Sequence, residues 1–286
     1  MAVVAAVQYG ISPIKSPDEF WHKVGRIVKR AQKRGVELLV FPEYLTAHLL
    51  ALAPPMGHPE ANRYLHEFTG EYHQRFTLLS RETGLTILGG THIMKEDACY
   101  VNAAFLFFPD GNVEMQKKVH LTPEERHIWG LTPGDSFAVY DTAAGKAAVL
   151  VCYDIEFPEA GRIVADLGAE IILCPSYTDG AAGYYRVRNC CQARAIENQL
   201  FVVLSGIVGA LPVVPQIDFG YSQAGLFAPC DFPFPANGVL SEGRANLPML
   251  VSADLDQGLL KENRAKGQVS PYRDRRRDIY KLSFRR

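Results

Sequence analysis

The chain lacks a long apolar run, an excess of either charge, and any spacing of cysteines or histidines that would hold a metal. Each absence removes a class of function. With nothing near the ~20 consecutive apolar residues of a spanning helix, no membrane partner is expected. The apolar start, Met1 to Gln8, has neither the basic leader nor the length of a secretion signal and reads as a first buried strand. A net charge of -1 gives no reason to expect nucleic acid. The six cysteines, at 99, 152, 174, 190, 191 and 230, contain no C-x-x-C, and the eight histidines form no H-E-x-x-H. A bridge between adjacent Cys190 and Cys191 would be strained, so reduced thiols and a cytoplasmic protein are expected. Gly89-Gly90 is not flanked by the residues of a phosphate loop. Neither metal nor cofactor is expected.

What is present is a chain of 286 residues, 48% hydrophobic and 21% charged, enough for one α/β domain spanning 1–286 with a large core. Apolar spacing predicts a helix over 18–34, with Asp18 as its cap and Gly35 as its stop, and then a strand over 36–41. A helix over 62–83, a strand over 85–89 and a hairpin of 100–108 with 112–119 follow. The second half repeats the rhythm: a hairpin over 137–151, a helix over 158–167, a strand over 170–174, a helix over 183–198 and a strand over 200–205. This near-duplication predicts a four-layer α-β-β-α sandwich of two mixed sheets. The segment 209–248, rich in Pro, Gly and Phe, reads as binding loops. The arginine-rich tail from about 265 reads as solvated or subunit-crossing.

Three strand ends carry chemistry. The run Val149-Leu150-Val151 delivers Cys152 to a point where a strand stops and a Pro-containing segment opens a helix. A turn of that kind displays a nucleophile, and the helix end is expected to favour thiolate over thiol. Alone, Cys152 reads equally well as a buried core residue. Leu38-Leu39-Val40-Phe41-Pro42 delivers Glu43 in the same way, and a strand after Pro109-Asp110-Gly111 delivers Lys118 to a loop containing Glu124 and Glu125.

Together these segments resemble the nitrilase superfamily of carbon–nitrogen hydrolases, whose glutamate, lysine and cysteine occur in that chain order. Phe41-Pro42-Glu43, Lys118-Val119-His120-Leu121 and Cys152-Tyr153-Asp154 with Phe157-Pro158-Glu159 are similar to its three motifs, and Gln192 to Gln199 to its helix end after the nucleophile. The likeness covers nearly the whole chain. It implies the same sandwich fold, a homodimer or larger homo-oligomer with the tail near subunit contacts, and a cysteine-dependent hydrolase of small-molecule amides acting through a thioester. Glu43 would be the base, Lys118 and the Tyr153 N–H the oxyanion donors, and Glu125 a second glutamate positioning the lysine. Glu125 reads alternatively as the exposed first turn of a helix.

His120 is a rival base, since Cys/His pairs are common, but the resemblance makes it a supporting residue. Cys152-Tyr153-Asp154 is similar to the amidase pattern, with nitrile or N-carbamoyl hydrolysis by the same three residues as the alternative and a non-catalytic binding protein as a distant one. Tyr44, Tyr153, Tyr177 and Asp179 are candidate substrate-pocket residues, because they adjoin strand ends where α/β sheets bind ligands. Aromatics in such places are as often core filler.

Overall fold

The computed structural model describes residues 1–283, so the last three residues of the tail lie outside the described residues. Its first half runs β1 (Ala2–Gly10), α1 (Pro17–Gln32), β2 (Leu38–Val40), α2 (His58–His66), α3 (Thr69–Thr83), β3 (Thr86–Glu96), β4 (Cys99–Phe107) and β5 (Val113–Lys117). The second half runs α4 (Pro123–His127), β6 (Val139–Thr142), β7 (Gly145–Val149), α5 (Pro158–Asp166), β8 (Ile171–Ser176), α6 (Ala181–Asn198) and β9 (Phe201–Ala210). Short strands β10 (Phe219–Gly220), β11 (Gly225–Phe227) and β12 (Val239–Glu242) follow, then β13 (Met249–Leu255), α7 (Gln257–Lys266) and α8 (Arg277–Ser283).

The strand order is β5-β4-β3-β2-β1-β9-β8-β7-β6. Each half has a parallel centre and an antiparallel outer edge: β1, β2 and β3 are parallel, as are β9, β8 and β7. One edge of β1 is divided. Residues 2–8 pair with β13, and only residues 8–10 pair with β9. The edge of β9 is divided likewise, with 202–204 taken by β11 and 206–208 by β1. Among the described residues the two mixed sheets are therefore hydrogen-bonded to each other only where the C-terminal ends of β1 and β9 meet.

Side-chain alternation along β1 identifies the layers. Ala2, Val4 and Ala6 share a core cluster with Ala147, Val149 and Ile172 of the other sheet. Ala5, Val7 and Tyr9 point the opposite way, into a cluster with Phe20, Val24 and Val28 of α1 and Phe76 of α3. One face of the sheet thus packs on the second sheet and the other on helices, which is the α-β-β-α sandwich. Each fully buried Val, Leu or Phe contributes about 1.5–3 kcal/mol relative to exposure.

Several local expectations need correction. Ser16, not Asp18, caps α1: its hydroxyl accepts from the Glu19 N–H at 3.2 Å, and Pro17 occupies the first turn, where its missing N–H costs nothing. The helix expected over 62–83 is two helices. The Thr69 hydroxyl donates to the His66 carbonyl at 2.7 Å, giving the backbone an alternative to continuing the helix. The strand expected to end at Gly89 continues to Glu96, because Gly89-Gly90 marks a break in the β3–β4 register rather than an end. A Cβ on Gly90, whose φ is +70, would lie 2.1 Å from the Pro42 carbonyl oxygen. Glycine there lets the loop carrying Glu43 lie against β3. Among the described residues no helix is long and apolar enough to cross a membrane.

Candidate active site

β2, β5 and β7 end at one place. Glu43 lies three residues beyond β2, Lys118 directly follows β5, and Cys152 lies three residues beyond β7. All three side chains are buried, with Glu43 at 1% exposure, Lys118 at 2% and Cys152 at 6%. Lys118 Nζ donates to Glu43 Oε1 at 2.8 Å and to Glu125 Oε2 at 2.7 Å. Glu125 is buried, so its reading as an exposed helix turn is replaced. It still does the local work of that turn, since its Oε2 accepts from the Thr122 N–H at 2.9 Å in a capping box. Tyr44, in the left-handed region at φ 54, donates its hydroxyl to Glu125 Oε1 at 2.7 Å. The Tyr177 N–H donates to Glu43 Oε2 at 3.0 Å.

One lysine between two buried carboxylates decides the protonation pattern. Burial raises the Glu43 pKa; the Lys118 charge opposes this and the Glu125 charge adds to it, leaving Glu43 above the ordinary carboxylate range. For Glu125 burial also raises the pKa, but the Lys118 charge and the bonds from Lys118, Thr122 and Tyr44 outweigh it and hold the group low. Lys118 is lowered by burial, yet the two carboxylates more than restore it and keep it cationic. Two chemically alike side chains are thereby driven apart, one towards accepting a proton and one towards fixed charge.

Cys152 opens a 3-10 turn, Cys152–Glu156, and sits at φ 46. A left-handed cysteine at a strand-to-helix turn is the strained geometry of a displayed nucleophile. The Ser176 hydroxyl donates to its Sγ at 3.2 Å, and the thiol donates to the Tyr177 carbonyl at 3.4 Å. The expected preference for thiolate does not hold. Burial, then the Glu43 charge, push the thiol pKa well up, against the pull of Lys118 and Ser176. A five-residue turn offers too little dipole to offset the loss of water. Burial thus favours the thiol over the thiolate at Cys152.

The turn is braced from both sides. Asp154, fully buried, accepts from the Val151 N–H at 3.1 Å and the His120 N–H at 2.7 Å, and His120 Nδ1 lies 2.8 Å from the same carboxylate. His120 also stacks on Phe157 at 3.8 Å between ring centres, so it ties the Lys118 strand end to the Cys152 turn as a support. Arg194 of α6 donates to the Ile155 carbonyl at 3.1 Å and to the Glu156 carbonyl at 3.3 Å. Glycine at 161 makes room for it, since a Cβ there would meet the Arg194 Cδ at 2.5 Å.

A cavity of about 640 Å³ opens over these groups, and Glu43, Lys118, Glu125 and Cys152 are all in its wall. Tyr44, Tyr153, Tyr177 and Asp179 line it as well. Tyr153 is the second residue of the turn, whose first N–H groups have no acceptor within it. Among the described residues no group of three His, Cys, Asp or Glu side chains is arranged to hold a metal.

A family model for carbon–nitrogen hydrolases matches residues 3–229. The chain belongs to that family. It is 41% identical over 283 residues to a probable hydrolase of Bacillus subtilis, YhcX, covering 99% of this chain and 55% of that protein. The chain therefore spans about half the length of that relative. It is 26% identical over 291 residues to the omega-amidase NIT2-A of Xenopus laevis, covering 99% of this chain and 98% of that one. Among solved structures, Nit3 of Saccharomyces cerevisiae, a branch 10 member of the nitrilase superfamily, superposes with a TM-score of 0.77 at 23% identity, covering 96% and 97% of the two chains. A carbon–nitrogen hydrolase from Helicobacter pylori gives 0.79 at 22% identity, covering 100% and 98%. Both structures share the sandwich fold.

Asn102 was not legible in the sequence as a site residue. It lies on β4, buried, and its Nδ2 donates to Glu43 Oε1 and Glu125 Oε1, each at 3.0 Å, while its backbone carbonyl accepts from the Lys118 N–H at 2.9 Å. The available signal was a lone amide in the otherwise apolar run Val101 to Phe107. A neutral donor of this kind keeps two carboxylates together without adding charge. Asn102→Ala is expected to lower stability by about 1–3 kcal/mol, the cost of leaving charged acceptors short of donors; an unchanged urea midpoint would contradict its role.

Proposed function

We propose that this protein hydrolyses the carbon–nitrogen bond of small-molecule amides through a thioester on Cys152. The observation that carries the reading is the Lys118 ammonium, held 2.8 and 2.7 Å from Glu43 and Glu125 in the wall of the cavity that also holds the cysteine. Ionised Glu43 takes the thiol proton as sulfur bonds to the amide carbon. The oxygen of the resulting tetrahedral adduct faces the Lys118 ammonium and the Tyr153 N–H, donors of the kind that stabilise such charge. Protonated Glu43 gives its proton to the nitrogen, the C–N bond breaks, and ammonia or an amine leaves. Glu43 then takes a proton from water, whose oxygen attacks the thioester. Collapse releases the acid and returns a proton to sulfur. The relationship to an omega-amidase supports an amide as the substrate.

Ammonia release from a panel of amides, nitriles and ureido acids tests the substrate class, with amides expected to lead. The pH profile tests the base. Glu43 works only when ionised, and its pKa is raised, so kcat/KM falls as pH drops through a value above the 4.5 of an ordinary glutamate. An acid limb at or below that value would contradict the assignment.

We further infer that chains pair through α5 and α6, where Ile163, Leu167 and Tyr185 are exposed apolar side chains. The tail packs beside this surface, with Arg275 donating to Asp166 of α5 at 2.8 Å. Light scattering should give a mass above 31.7 kDa at every dilution; a monomer throughout would end this reading.

A further inference from the structure

The rim of the cavity is charged in one sense. Beyond the groups at its floor, it is lined by four carboxylates, Glu124, Glu156, Asp179 and Asp218, and by one guanidinium, Arg186. Arg186 is engaged already, its Nε lying 3.3 Å from Glu156. Glu124 faces only His58, at 3.5 Å, and Asp179 and Asp218 have no ion-pair partner among the described residues. The four come from separate segments, one in the first turn of α4, one after Cys152, one before α6 and one in the loop before β10, yet all line the nucleophile's cavity. Tyr177 lines the same cavity, and burial, followed by the charges of Asp218, Asp179 and Glu124, raises the pKa of its hydroxyl.

The cavity wall is also aromatic. Tyr44 stacks on Trp129 with ring centres 5.2 Å apart, and the edge of Tyr177 meets Tyr44 at 6.0 Å. Tyr44 and Trp129 are buried against each other, so the half-buried Tyr177 ring offers the aromatic surface that attracts a cation. The cavity, at about 640 Å³, is also far larger than a simple amide group requires, so a substrate has a body that reaches the rim.

We infer, building on the amidase reading above, that the preferred substrates are amides whose far end carries an ammonium or guanidinium group. The reacting amide lies at Cys152, and the cationic end lies among the rim carboxylates and against the aromatic wall. Exposed rim charges focus the field of a cleft, an effect worth about 10- to 1000-fold in association and one that weakens as salt is added.

Three matched amides test this: hexanamide, 6-aminohexanamide and the monoamide of adipic acid. At low salt kcat/KM for 6-aminohexanamide should exceed that for hexanamide by about 10-fold or more, with the anionic monoamide slowest. Raising ionic strength from about 0.01 M to about 1 M, which shortens the Debye length roughly 10-fold, should compress the series. The double variant Asp179→Asn with Asp218→Asn, at exposed positions where folding is not at stake, should also bring the three values together. Equal or faster hydrolysis of the anionic amide, or a preference indifferent to salt and to both substitutions, would overturn the inference while leaving the amidase reading intact. Failure to release ammonia from all three would instead remove the amidase reading and this inference with it.

Discussion

Alanine in place of Cys152 removes amide turnover, by about 10⁴-fold or more, the scale on which loss of a nucleophile is felt. Stability should change by only about 1 kcal/mol, as for an ordinary substitution. The two effects separate because of where the sulfur sits. It is 6% exposed, in the cavity wall, and holds only two hydrogen bonds among the described residues, to Ser176 and Tyr177 at 3.2 and 3.4 Å. The left-handed backbone at 152 remains in the variant, so the turn keeps whatever strain it has. Steady-state rates and a urea midpoint measured on the same preparation check both halves. Retained turnover in a folded variant would refute the role given to the residue.

Alanine in place of Lys118 has the opposite profile, with activity and fold both damaged. Loss of one oxyanion donor costs about 100- to 1000-fold in kcat. Removal of the cation bonded to two buried carboxylates costs about 3–5 kcal/mol of stability. The sign of its pH dependence is fixed by the same geometry. Without the ammonium, the folded-state pKa values of Glu43 and Glu125 both rise above their unfolded values. The deficit is then small under acid conditions, where both carboxyls are protonated in either state, and grows as pH rises through the folded values. Adding Glu125→Gln to Lys118→Ala should recover part of the stability at neutral pH and none of the activity. A midpoint for Lys118→Ala equal to that of the unmodified protein would show that the lysine does not hold the carboxylates together.

The Glu43 and Cys152 strand ends were legible because each is an apolar run stopped abruptly before a reactive side chain, and the Lys118 end because its strand follows the hairpin signal Pro109-Asp110-Gly111; both are local patterns that survive in any tertiary context. The duplicated order of strand, helix and hairpin likewise exposed the two sheets. Asn102 was not legible, since one polar residue in a strand is indistinguishable from a solvent-facing position until Glu43 and Glu125 arrive from other segments against its side chain. The continuation of β3 past Gly89-Gly90 was hidden because glycines that end a strand and glycines that let another loop approach look alike. The thiol was misjudged for a related reason. A turn's dipole is local and can be read from sequence, whereas burial of Cys152 is produced by Ser176, Tyr177 and Glu43 arriving from distant segments.

Trapping the acyl-enzyme tests the central claim most directly. A slow amide mixed with the unmodified protein, quenched in acid within the first turnover and resolved by intact mass and peptide mapping, should show one adduct with the mass of the acyl group. That adduct should lie on Cys152, and Lys118→Ala should accumulate less of it. An acyl group on Cys174, Cys190 or Cys191, or complete turnover with no adduct on any cysteine at any quench time, would contradict nucleophilic attack by Cys152.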